Sequence, residues 1–138
     1  MGGVGERERV TQNRVVKLFR DKLKYIYLGN LHDRENSNID EERLKEYLSS
    51  QGYSDELIRR AINSLVDAAK KPDLYYANKE VYSLLRYGAS VRENVSVHNQ
   101  AVKFINWEEP HKNNFYIAEE VTVMGEHTKR PDIVLYIN

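Results

Sequence analysis

Carboxylates beside short apolar strands are the residues of this chain most able to do chemistry. Pro131-Asp132 opens the run Ile133-Val134-Leu135-Tyr136-Ile137. Proline lacks an amide donor and suits the first residue of a strand or an edge. The β-branched and aromatic run behind it favours a pleated, buried strand. An acid held at the mouth of such a strand is well placed to bind a divalent cation, although Pro-Asp before a strand also serves as an ordinary turn. A second acidic pair, Glu119-Glu120, lies within a strand predicted over 115–123. Alternation groups Glu119 with Phe115, Ile117, Val121 and Val123, and Glu120 with Tyr116, Ala118 and Thr122. Asp132, Val134 and Tyr136 share a face of the final strand. If the two strands pair as a hairpin, one glutamate points the same way as Asp132. Two carboxylates meeting there repel unless a cation or a proton intervenes. The structural alternative for Glu119-Glu120 is a solvent-facing pair whose charge protects a sheet edge.

Other chemistries find little support. His32-Asp33 can ligate metal but sits in a polar loop without further ligands. His98, His111 and His127 are scattered over loops and strand margins. There is no glycine-rich phosphate loop, no Gly-x-Ser-x-Gly and no His-Glu-x-x-His. The chain has no cysteine, which removes disulfide and Cys-based zinc or redox chemistry and fits a cytoplasmic protein. Its 21 basic and 21 acidic side chains cancel, which counts against an autonomous DNA binder but not against a catalytic domain held on DNA by partners. No apolar run approaches the ~20 residues of a membrane helix, and the start carries no signal-peptide pattern.

The elements that must position these acids form an α+β pattern, with helices first and strands last. At 138 residues the chain is read as a single domain, its helical part over about 6–87 and its β part over about 89–138. A helix is predicted from about Glu6 to Lys24, with Val15, Leu18, Phe19, Leu23 and Ile26 on one face. Tyr25-Ile26-Tyr27-Leu28 either extends it or forms a short strand. Asn38-Ile39-Asp40-Glu41 and Ser54-Asp55-Glu56 offer the starts of two helices that read as an αα-hairpin. Their apolar stripes are Leu44, Tyr47 and Leu48, then Leu57, Ile58, Ala61, Ile62, Leu65, Val66 and Ala69. A further helix over 74–87 draws its apolar bulk from Tyr75, Val81, Tyr82, Leu84 and Leu85 and ends at Gly88. Strands are predicted over 89–93, 101–105, 115–123 and 133–137, in a mainly antiparallel meander.

Three stretches give these elements a family likeness: Asn78-Lys79-Glu80-Val81-Tyr82-Ser83-Leu84-Leu85-Arg86-Tyr87-Gly88, Asn113-Asn114-Phe115-Tyr116-Ile117-Ala118-Glu119-Glu120-Val121-Thr122-Val123, and Arg130 to Asn138. A weaker match runs through Glu8-Arg9-Val10-Thr11-Gln12-Asn13-Arg14-Val15-Val16. Together they resemble the N-terminal nuclease region of the R (restriction and motor) subunit of type I restriction enzymes, within the PD-(D/E)xK nucleases. The resemblance implies an incomplete restriction-endonuclease-like core and Mg²⁺-dependent hydrolysis of DNA phosphodiester bonds. Asp132 would be a metal ligand, Glu120 a second acid near the metal, and Glu8 a weaker candidate that also reads as an exposed helix-start acid. It further implies methylation and specificity subunits as partners, and ATP used only in a motor domain outside this chain. The family continues after Pro-Asp with a strand carrying Glu-x-Lys, which has no counterpart within these residues. The 138 residues alone are therefore expected to be inactive, and the edge beside Ile133–Ile137 is open to pairing between copies. The alternative function is a non-catalytic interaction module of a restriction complex, docking through 38–71.

Overall fold

A computed structural model describes residues 4–31, 35–36, 39–119, 122–123 and 133–138. The chain is α+β and divides into two compact units. One comprises 1–38 with 114–137; the other comprises 39–113 with Asn138. The division does not follow the boundary between helical and strand-forming sequence, because each unit contains both.

The 39–113 unit is built on three helices. In α2 (Glu41–Ser50) the Asp40 side chain accepts from the Arg43 amide at 3.3 Å, and Glu41 and Glu42 sit in the first turn, where the helix dipole favours acids. In α3 (Asp55–Ala69) Ser54 does the same for Leu57 at 3.3 Å. Leu44, Tyr47, Leu48, Leu57, Ile58, Ala61, Ile62 and Leu65 face inward as the periodicity requires. At the end of the α3 stripe Ala68 is buried and Ala69 exposed. Asp73 caps α4 (Leu74–Tyr87) by accepting from Tyr75 and Tyr76. Only part of the expected α4 face is core: Val81, Leu84 and Leu85 pack against the cluster, whereas Tyr75 and Tyr82 are 68% and 65% exposed.

Gly88 ends α4 with φ 88° and ψ 170°. A Cβ there would lie 2.7 Å from the Val102 carbonyl oxygen. Glycine thus permits both the backbone turn and the close approach of the next hairpin. That hairpin is antiparallel, β3 (Ala89–Val91) on β4 (Gln100–Val102), and is shorter than the predicted strands. Leu48, Val102 and Phe104 are the largest fully buried side chains of this unit. An asparagine network closes it. Asn138 Nδ2 donates to Phe104 O at 2.8 Å and to Asn113 Oδ1 at 2.9 Å, while Asn113 Nδ2 donates to Asn106 O and Pro110 O, both at 2.9 Å.

The other unit begins with α1 (Val4–Lys17), which passes into a π-helical turn, Leu18–Lys22. The single helix predicted to Lys24 is thereby cut short. Val16 is its buried contact, and Leu18 and Leu23 of the expected apolar face are exposed. Tyr25 stacks between Phe19 and Phe115, at 4.9 and 5.3 Å between ring centroids, and starts the chain into β1 (Ile26–Asn30). Of the two sequence alternatives for Tyr25–Leu28, the strand is realised. The sheet order is β1-β5-β7, with β5 (Phe115–Glu119) central and β7 (Ile133–Ile137) on an edge. β5 pairs with β7 antiparallel, Glu119 opposite Ile133 and Tyr116 opposite Tyr136. β1 joins β5 in parallel, as does β2 (Glu35–Asn36) to β6 (Thr122–Val123). The expected antiparallel meander thus describes two of the pairings, and long-range parallel pairings supply the others.

Candidate carboxylate site

The most distinctive ionisable group among the described residues is Glu119, the last residue of β5. It is 7% exposed. The expectation of a solvent-facing edge pair is corrected for this residue: β5 is the central strand, and Tyr116, Ile117 and Ala118 are buried with it. A carboxylate so placed must find hydrogen-bond donors. Gln12 Nε2, from α1, donates to Glu119 Oε1 at 3.1 Å. The Tyr27 hydroxyl, from β1, donates to Oε2.

Local sequence explains how these donors arrive. The register of β1 on β5 slips between Tyr27 and Asn30, and Gly29 occupies the bulge with φ 88°. Asn30 then pairs with Glu119, and the Leu31 amide donates to the Glu119 carbonyl at 3.0 Å. The side-chain and backbone ends of β5 are thus both fastened. The Glu119 hydrogen bond, burial and the Glu119 charge together raise the Tyr27 pKa, against the opposing influence of Arg20 and Arg9. The Arg20 guanidinium lies 5.7 Å from the Tyr27 ring centroid. The result is a carboxyl group held by Gln12 and Tyr27, with arginine side chains near Tyr27. Among the described residues, Gln12 and Tyr27 fill two of its roughly four acceptor positions.

Asp132 and Glu120 lie outside the described residues, as do His32 and Asp33. The Glu8 backbone belongs to α1, but its side chain also lies outside what is described. None of the three expected metal ligands is therefore brought to a measured distance from another. No group of three or more His, Cys, Asp or Glu side chains able to hold a metal occurs among the described residues. Glu119, the carboxylate that is described, offers oxygens of the kind Mg²⁺ prefers, but a cation there would share them with the Gln12 and Tyr27 donors. Gln12 and Tyr27 were not anticipated as partners. Alternation did put Glu119 on the more apolar face, and that was the available sign that it would need them.

The arrangement defines an α+β chain that fixes a buried carboxylate at the end of a central strand. The chain belongs to the family of type I restriction enzyme R protein N termini, whose family model matches residues 5–138. No curated protein and no solved structure gives a match. No helix among the described residues is long and apolar enough to cross a membrane.

Proposed function

We propose that the chain is part of the Mg²⁺-dependent DNA endonuclease domain of a type I restriction enzyme R subunit, with Asp132 and Glu120 holding the cation and Glu8 assisting from α1. Family membership over residues 5–138 carries this reading. The ladder supports Glu120 as the partner of Asp132: Ala118 opposes Val134 and Tyr116 opposes Tyr136. Alternation in the sequence likewise sets Glu120 with Tyr116 and Ala118, and Asp132 with Val134 and Tyr136. Support for Glu8 is its position one helical turn before Gln12, whose side chain reaches the end of β5.

In this reading Glu119 is a positioning residue that fixes the strand end, and Arg9 and Arg20 add positive potential. Bound Mg²⁺ would polarise the scissile phosphate and lower the pKa of its water. Residues 1–138 contain no Glu-x-Lys after Asp132, so we propose that they do not cleave DNA alone. The partners in this reading are DNA and the methylation and specificity subunits, in the cytoplasm, with ATP confined to a motor domain outside this chain. The rival docking role for 38–71 draws less support, because the apolar stripes of α2 and α3 are already buried in their own unit. Pairing between copies through β7 is supported by its edge position and by the exposure of Leu135 and Ile137.

The test is Asp132→Ala in the intact restriction complex. DNA cleavage is expected to stop while ATP hydrolysis continues. Cleavage at the unmodified rate would overturn the assignment.

A further inference from the structure

A second region of chemistry lies wholly within the 39–113 unit. A cleft of about 290 Å³ is lined by Tyr47, Gln51, Tyr53, Arg86, Lys103 and Trp107, with Ile105, Asn106 and Glu108 completing its wall. Its volume is at the lower end of small-ligand sites. Trp107 is 49% exposed, so a large aromatic surface remains open to solvent. That surface is held rigidly. Trp107 Nε1 donates to the Leu85 carbonyl at 2.9 Å, and the Arg86 guanidinium sits 5.3 Å from the indole centroid. The Lys103 amide donates to the Tyr53 hydroxyl at 3.1 Å, which fixes the opposite wall.

Arg86, in the cleft wall, is also the last member of a stripe on α4. Arg86, Tyr82, Lys79 and Tyr75 follow one another at steps of four, three and four residues, so they share a helix face. All four are exposed. At 1.5 Å per residue the stripe runs roughly 16 Å. Arg86, Lys79 and Lys103 have no carboxylate partner among the described residues, in contrast to Lys71, which pairs with Glu80, and to Arg59 and Arg60, which share Glu56. Unpaired cations interleaved with exposed aromatic rings complement one kind of polymer well: a phosphate-linked strand whose bases are free to stack. Glu108 is the one acid in the cleft wall, against Arg86 and Lys103, so the formal neutrality of the whole chain does not describe this surface.

We propose that the Trp107 cleft and the α4 stripe bind a single-stranded nucleic acid. One base stacks on Trp107, and Arg86, Lys103 and Lys79 neutralise successive phosphates. The proposal does not depend on the metal-site reading, since none of these residues belongs to it. Trp107 is the chain's sole tryptophan, so its fluorescence reports on the cleft directly.

The experiment titrates the 138-residue chain with a thymidine hexanucleotide, with the same sequence as a blunt duplex, with thymidine monophosphate and with inorganic phosphate. Saturable quenching by the hexanucleotide is expected, weakening as salt rises, with little effect of the other three. Trp107→Leu, read by anisotropy of a labelled hexanucleotide, is expected to weaken binding about five- to a hundredfold. Lys103→Ala is expected to reduce the dependence of log affinity on log salt by roughly 0.7, the slope for one phosphate contact on a single strand. Circular dichroism checks that each variant keeps its helices. If a variant unfolds, Lys79→Gln on the exposed helix face provides the same comparison. Absence of quenching by the hexanucleotide, or unchanged affinity in the folded variants, would overturn the proposal. Equal affinity for the monophosphate would overturn the strand assignment, and preference for the duplex would overturn the stacking.

Discussion

The two units solve opposite problems with different chemistry. In 39–113 the interior is an unbroken apolar cluster around Leu48, Val102 and Phe104, and its polar groups at the closing turn are asparagines bonded to one another and to backbone carbonyls. In the unit made of 1–38 and 114–137 the central strand ends in a buried carboxylate, and two neutral side chains from different elements are needed to hold it. Stability is the plain explanation of the first. The second retains a costly group where an apolar residue would pack without penalty.

The contrast can be broken most forcefully in the apolar unit. Leu48 is fully buried, so Leu48→Ala is expected to cost about 2–5 kcal/mol. Urea unfolding followed by far-ultraviolet circular dichroism, which is dominated by α2, α3 and α4, measures it. A loss well under about 1 kcal/mol would show that the cluster is not the source of this unit's stability. Gly88→Ala comes next, at about 1–3 kcal/mol, because its backbone conformation is essentially confined to glycine. Its added methyl would also meet the Val102 carbonyl, and the same urea experiment reads the loss.

Glu119→Ala sharpens the comparison from the other side. It strands the Gln12 and Tyr27 donors, at an expected cost of about 1–3 kcal/mol. Hydrogen exchange of amides 115–119 should accelerate while those of α3 stay protected; equal acceleration in both would mean the polar site supports the whole chain. The same variant should return the Tyr27 phenol towards its ordinary pKa of 10.0, visible by ultraviolet titration. The sign is fixed by the direction of the shift. Folding favours the neutral phenol, so its contribution is complete below about pH 10 and is lost as pH rises through the raised value.

The smallest effect belongs to Glu56, whose pKa is lowered to about 2 by hydrogen bonds from Arg59 and Arg60 on the surface of α3. Its contribution is present above the usual carboxylate range and is lost as pH falls from about 4.5 through about 2. Glu56→Gln should leave stability at neutral pH nearly unchanged, because exposed ion pairs are weak. A large drop in melting temperature would contradict that.

What could be read from the amino-acid order follows the range of the interactions involved. Asp40, Ser54 and the stripes of α2 and α3 act within a few residues, so those helices were legible nearly to the residue. The same holds for α4, which spans the expected 74–87, and for β7 over 133–137. The break at Leu18 was not, and the strand at Ile26 was one of two readings that the sequence left open for Tyr25–Leu28. They depend on β5, far along the chain, and local periodicity carries no information about that partner. Tyr75 and Tyr82 illustrate a second limit: spacing shows that side chains share a face but does not show what, if anything, covers it. At the site, Pro131-Asp132 was conspicuous by its position before an apolar run. The burial of Glu119 was half visible: alternation put it on the more apolar face, whereas acidic residues are so seldom enclosed that residue type argues for the surface.

The segment 39–113 is continuous, whereas its companion is split, with Ile26 waiting for Tyr116. On a ribosome the inserted segment can emerge and condense before the last strands are made. Until then β1 lacks the β5 partner it pairs with in the finished sheet.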